Sequence, residues 1–218
     1  MIKMFKEERF CSKYNCVVVD FDGTVYPLFP VQVCMGIWMI LYYLFHLFRI
    51  NELLAVLLYR NLLHRLVGQS FPASTVESFY ERVSVEYALS KKEVQVITEK
   101  WLERNPCVFI RFFQRISFLK KLMQLQRNGK IIVLYSDNPL KIKKDCIVLK
   151  ADYYFDGFQK DILCMKPCVN GLSYIMNTLG LKQNEVVVIG NKIKRDGLCA
   201  ANAGVDYISF SDFEKYDL

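Results

Sequence analysis

The sequence predicts an α/β fold: a Rossmann-like parallel sheet flanked by helices, interrupted by an all-helical insertion. Three observations carry this expectation. Short runs of β-branched and aliphatic residues at 16–19, 131–135 and 186–189 each end in polar or turn residues, the pattern of strands buried on both faces. Strand-like and helix-like stretches alternate through the rest of the chain, as in parallel sheets with helical crossovers. Between residues 27 and 112 the alternation stops and apolar residues recur at helical spacing.

Taken in order, the run at 16–19 reads as a first strand delivering Asp20 to its carboxyl end, with the turn residues Asp22 and Gly23 following at once. The insertion begins near Pro27. Its stretch 31–48 contains only Gln32 and His46 as clearly polar residues, and eighteen helical residues span roughly 27 Å, just short of a bilayer core. Three readings stay open for it: a buried helix, a groove for a lipid-like group, or a segment in a membrane interface or homodimer contact. The next stretch, 53–67, is amphipathic, with Arg60, Asn61, His64 and Arg65 interrupting its leucines, and does not read as a second membrane span. Pro72-Ala73-Ser74 marks a break between helices. The strand at 131–135 leads into Ser136-Asp137-Asn138-Pro139, and the strand at 186–189 leads into Gly190-Asn191. Two helical stretches are expected between them, with further short strands near 153–155 and 207–210. The organisation is therefore a core of residues 1–26 and 113–218 with an inserted helical domain at 27–112. Ligands of such open sheets bind beyond the carboxyl ends of the strands, where these polar residues would gather.

Composition narrows the function classes. The chain of 218 residues is 53% apolar with a mean hydropathy of +0.15, and the insertion holds the excess. A net charge of +7 suits an anionic substrate or an anionic membrane surface. No nucleic acid is expected, because the basic residues are spread and no recognised module is present. The eight cysteines show no C-x-x-C pair and no histidine cluster, and read as reduced core cysteines of a cytoplasmic protein. Residues 1–10 carry Lys3, Lys6, Glu7, Glu8 and Arg9 without an apolar h-region, so export by a secretory signal is not expected.

The strongest chemical signal is Asp20-Phe21-Asp22-Gly23-Thr24 directly after a buried strand. A carboxylate nucleophile divides one hard displacement into two easier ones, and a second acid nearby can move the proton. Two carboxylates so close ionise together cheaply only beside a cation, which points to a bound metal. Gly23 permits the sharp turn, and Thr24 is placed to cap the next segment or orient Asp22.

Here the sequence resembles the haloacid dehalogenase (HAD) superfamily, whose first motif has this form. The resemblance covers residues from about 16 to 26 and 129 to 210. It implies Asp20 as nucleophile and Asp22 as general acid and base. Ser136 matches the second motif and would bind phosphate, with Asp137 and Asn138 beside it and Thr24 as a further substrate contact. Lys166, before Pro167 and 24 residues ahead of Gly190, matches the charge-stabilising lysine of the third motif. Gly190-Asn191-Lys192-Ile193-Lys194-Arg195-Asp196 resembles the fourth motif, in which two aspartates normally bind magnesium, but Asn191 stands in place of the first. The implied ligands of Mg2+ are Asp20, Asp22, Asn191 and Asp196. The insertion lies where many members carry a helical cap that closes over the site. The expectation is a magnesium-dependent phosphohydrolase acting on a phosphorylated small molecule or lipid-like phosphate monoester, the alternative being a HAD-fold binding or membrane-associated protein weakened at Asn191. A dehalogenase is the weaker expectation, since Asp22 is present.

Overall fold

The computed structural model describes residues 12–216. The expectation for residues 1–10 and the reading of Cys11 lie outside them. Five strands form one parallel sheet in the order β3-β2-β1-β4-β5: β1 (Cys16–Asp20), β2 (Ile131–Ser136), β3 (Tyr153–Asp156), β4 (Val186–Gly190) and β5 (Asp206–Ser209). The first strand is central and buried throughout, and its side chains alternate between two apolar layers. Val17 and Val19 join the cluster containing Phe118, Leu122 and Leu125 of helix α6 (Ile116–Arg127). Cys16 and Val18 join the cluster of Leu172 and Ile175 from α7 (Asn170–Leu179) and Ala200 from α8 (Leu198–Asn202). Burial on both faces explains why these strands read as unbroken apolar runs. In register, Asp20 lies beside Tyr135 and Val19 beside Ile189, so Asp20, Ser136 and Gly190 end three adjacent strands.

Two expectations change in this core. Between β2 and β4 the described chain forms one α-helix of more than one turn, α7, rather than two. Residues 137–152 instead wrap as a loop with a short turn at Lys143–Cys146, anchored where Leu140 N–H donates to the Asp156 carboxylate (3.0 Å). The last strand ends one residue early, because the Ser209 hydroxyl accepts from Asp212 N–H (3.1 Å) and starts a helical turn, α9 (Phe210–Phe213).

Between β1 and α6 lie five helices: α1 (Leu28–Leu44), α2 (Ile50–His64), α3 (Ser74–Tyr87), α4 (Lys91–Glu99) and α5 (Pro106–Phe113). The break at Pro72 falls immediately before α3. Ser90 opens α4 with a reciprocal cap, its hydroxyl accepting from Glu93 N–H (3.2 Å) while its own N–H donates to the Glu93 carboxylate (2.7 Å). The single long helix expected at 31–48 is broken. The His46 ring caps the Tyr42 carbonyl (2.7 Å), a short turn follows at Leu47–Arg49, and α2 leaves at 115° to α1. Among the described residues no single helix is long and apolar enough to cross a membrane. Nor is α1 simply buried: Val31, Met35 and Tyr43 face inward, whereas Ile37, Ile40, Leu41 and Leu44 are exposed.

The cysteine expectation also needs correction. Cys107 in α5 and Cys146 in the 143–146 turn form a disulfide with Cα atoms 5.4 Å apart, which ties the last inserted helix to the core. Spacing gave no hint of it, because 39 residues separate the pair and only the folded chain brings them together. Cys16, Cys34, Cys164, Cys168 and Cys199 are free, with Cys34 and Cys168 only partly buried.

Candidate active site

The strand ends deliver the chemistry. Asp20 closes β1, and the chain then turns through Gly23 (φ +97°), a conformation open to glycine at little cost. This turn lets the fully buried Thr24 hydroxyl return to donate to Asp20 Oδ2 (3.1 Å). The other oxygen, Oδ1, accepts from Lys166 Nζ (2.5 Å), and the same ammonium donates to Asp196 Oδ1 (2.7 Å). Asp196 comes from the wide helical turn Ile193–Gly197 after β4, and it can approach only because residue 190 is glycine: a Cβ there would lie 2.5 Å from the Asp196 carboxyl carbon. Its Oδ2 accepts from Lys192 N–H (3.1 Å).

Two buried carboxylates thus share one ammonium. Burial pushes the Asp20 carboxyl up; Lys166 opposes this, Asp196 and Asp22 add to it, and the result is a pKa of about 7. Burial also works against the charge on Lys166, but Asp20, Asp196 and Asp137 hold it protonated.

Asp22 lies in a different setting. Its Oδ2 accepts from the Ser136 hydroxyl (2.9 Å) and the Asn138 amide (2.8 Å), its Oδ1 accepts from the Tyr26 hydroxyl, and Lys143 Nζ stands 3.7 Å away. Burial alone would raise its pKa, but the charge of Lys143 and the bonds from Asn138, Tyr26 and Ser136 outweigh it and hold the group at about 2. Asp137 is spent on support: one oxygen accepts from Lys166 N–H (2.7 Å) and the other pairs with Arg195.

These groups form the floor of a cavity of about 550 Å3 roofed by the inserted helices. Of the residues expected from sequence, Asp20, Asp22, Asp137, Asn138 and Asp196 line it. Thr24, Ser136 and Lys166 lie buried beneath, acting through the carboxylates they touch. Ser136 is committed, donating to Asp22 and accepting from Asn138 N–H (2.9 Å). Asn191 is exposed, its side chain lying over Gly23. Sequence reading missed Tyr26, Lys143, Lys192 and Arg195 on the floor and Arg60 and His64 on the roof. Tyr26 stands four residues after Asp22, and Arg195 adjoins Asp196; Lys143 gave no signal, being one of three lysines within 141–144. His64 is pushed toward its neutral form by partial burial, then by Arg60, Arg195 and Lys192, so that side of the cavity is positive.

The donor set fits a magnesium ion held by few protein groups. Among the described residues no three His, Cys, Asp or Glu side chains converge. Magnesium, however, needs only one or two carboxylates and completes its shell with water and substrate phosphate. Asp20 and Asp196 carry one more negative charge than Lys166 balances, and the Asn191 amide lies over the turn that follows Asp20.

No protein-family model matches the chain, and no curated protein matches it in sequence. Solved structures do match in fold. A 2-haloacid dehalogenase from Pseudomonas syringae pv. tomato DC3000 aligns with a TM-score of 0.64 at 11% identity, over 90% of this chain and 86% of that one. A protein described as a HAD-hydrolase, YfnB from Bacillus subtilis, bound to magnesium, aligns with a TM-score of 0.57 at 13% identity, over 89% and 87%. An L-2-haloacid dehalogenase gives a TM-score of 0.53 at 11% identity, over 89% and 85%. Five parallel strands with Asp20 at the central carboxyl end, under helices inserted after the first strand, are thus the haloacid dehalogenase fold.

Proposed function

We propose that the protein is a phosphohydrolase that cleaves phosphate monoesters through an aspartyl-phosphate at Asp20. The observation that carries this is the second carboxylate in the same cavity, Asp22, with its own set of donors. A halide leaves carbon as a stable anion and needs no proton, so displacement of halide gives a second carboxylate no task. An alcohol leaving phosphorus needs one.

In the first step an Asp20 oxygen attacks phosphorus and the bond from phosphorus to the ester oxygen breaks, Asp22 relaying to the departing oxygen the proton that the substrate brings as its phosphate monoanion. In the second, water attacks the aspartyl-phosphate, the bond from phosphorus to Asp20 breaks, and the water's proton passes through Asp22 to the departing phosphate. The ionised form in which Asp22 is held is the one that accepts this proton. Lys166 favours the anionic form of Asp20 against the effect of burial and holds the carboxylate in place. Lys143, Lys192 and Arg195 line the cavity, placing positive charge beside the phosphate oxygens. Bound magnesium, held by Asp20 and Asn191 with Asp196 behind, would neutralise charge on the transferring group.

The test is hydrolysis of p-nitrophenyl phosphate with and without magnesium, with Asp20→Asn as control and a 2-haloacid as competing substrate. Phosphate release abolished by Asp20→Asn is the expected result. Halide release without phosphate release overturns the proposal in favour of the chemistry named for the dehalogenase neighbours, and inactivity toward both favours a binding protein.

A further inference from the structure

The roof of the cavity is mixed. The inserted helices contribute an apolar strip, Val31, Met35 and Met39 from α1 and Leu57 and Leu63 from α2, beside the polar Gln32, Arg60 and His64. Two roof hydroxyls already donate elsewhere: Tyr59 to Tyr80 (3.0 Å) and Thr98 to the Val94 carbonyl (2.8 Å). A sugar held against Val31, Met35, Met39, Leu57 and Leu63 would lose water from hydroxyls for which these side chains offer no partner, and each such loss opposes binding. An alkyl or isoprenoid group loses nothing there and leaves water. We infer that the substrate is an amphiphilic phosphate monoester, its phosphate on the ionic floor and its apolar chain against α1 and α2. This rests on the phosphohydrolase reading and names the substrate class for the same site.

The experiment uses two homologous series kept below their micelle concentrations. For n-alkyl phosphates, kcat/KM is expected to rise about fourfold per added methylene until the cavity is filled. For n-alkylphosphonates, which cannot be hydrolysed, the dissociation constant measured by calorimetry is expected to fall with the same slope. Met35→Asn with Met39→Asn should flatten both slopes, and a thermal melt establishes that the variant is folded. A flat phosphonate series overturns the inference whatever the catalytic result, while a sloped phosphonate series with no turnover of any phosphate retains the site and overturns the phosphohydrolase reading.

The outward faces of the same helices carry a second inference independently. Around the 115° bend, Leu44, Phe45, Leu47 and Phe48 are 60–85% exposed. Within residues 41–60 the single acid is Glu52, whose carboxylate is held by Arg49 (2.6 Å). Basic and aromatic groups lie on one side of this tip: Arg49 donates to the Tyr42 hydroxyl (2.9 Å), and Lys100 Nζ lies 4.2 Å from the Tyr42 ring centre. Apolar knobs beside Lys100 and the ring of Tyr42 match an anionic bilayer surface, and we propose that the bend docks on one. Co-sedimentation with phosphatidylcholine vesicles containing phosphatidylserine should exceed that with pure phosphatidylcholine at least tenfold, and Phe45→Ser with Phe48→Ser should abolish it. Absence of vesicle binding, or a homodimer that the same double variant dissociates, overturns the docking proposal.

Discussion

A methyl group placed on Gly23 would lie 2.4 Å from the amide nitrogen of Asn191, so the turn after Asp20 and the loop after β4 are in direct contact. The contact joins the first and fourth motifs, and residue 23 also holds a positive φ. Gly23→Ala is expected to cost about 1–2 kcal/mol from the backbone alone and to displace Asn191. Denaturant unfolding should show the first effect and weaker magnesium activation of p-nitrophenyl phosphate hydrolysis the second. Asn191→Asp should tighten magnesium by roughly tenfold, because an anionic ligand replaces a neutral one; calorimetry measures this without turnover.

The triad of Asp20, Lys166 and Asp196 couples function to stability. The folded pKa of Asp20 is raised from 3.8 to about 7, so its contribution to stability is full below about pH 4 and is lost as pH rises through about 7. Asp22 runs the other way: its pKa is lowered to about 2, so its contribution is present above about pH 4 and is lost as pH falls toward 2. Asp20→Asn leaves Lys166 balanced by Asp196 alone and is expected to be inactive yet roughly 1–3 kcal/mol more stable at pH 8. Denaturant melts of both proteins at pH 5 and pH 8 check this, with the difference larger at pH 8.

Removing Lys166 should do the reverse. Lys166→Met leaves two buried carboxylates without their shared cation, which typically costs roughly 3–5 kcal/mol when one partner of a buried pair is lost. Turnover should vanish, and unfolding midpoints should recover as pH falls and the carboxylates protonate.

Lys143→Met tests the role assigned to Asp22. Without its cation the carboxylate pKa rises, since burial, the largest influence on it, pushes in that direction. The acid limb of the kcat profile should move to higher pH, and the phosphorylated enzyme should accumulate as a burst if proton acceptance from water becomes slow.

The disulfide between α5 and the 143–146 turn holds the segment that carries Lys143. Cys107→Ser, or treatment with reductant, is expected to lower stability by about 2–4 kcal/mol and to raise KM more than it lowers kcat, because the tether positions the cavity wall. A reductant effect that persists in Cys107→Ser would assign it to another cysteine.

Much of the core was legible because its signals are local. Strands buried on both faces must be apolar along their length, so β1, β2 and β4 announce themselves, and the polar residue at each end marks the site. Asp20 and Ser136 could be placed at strand ends from the sequence, whereas Asp22, Lys166 and Asp196 were named through the resemblance of their motifs to the haloacid dehalogenase superfamily. The roles of Ser136 and Thr24 needed coordinates: both are buried and act on the two carboxylates.

What the sequence by itself determined is the parallel sheet and the run of inserted helices, since each follows from hydrophobic period and turn chemistry over a few residues, while the order of the candidate site residues came with the motif resemblance. Only the tertiary structure decided which cation serves which carboxylate, that Lys143 supports Asp22 while Lys166 joins Asp20 to Asp196, and that Cys107 meets Cys146. It also decided that α1 turns one apolar side to the cavity and leaves the other exposed. The physical reason is common to all of these: electrostatic partners and buried surfaces are set by distance in space, and residues 22 and 143 or 107 and 146 carry no mark of their nearness until the sheet and its helices have packed.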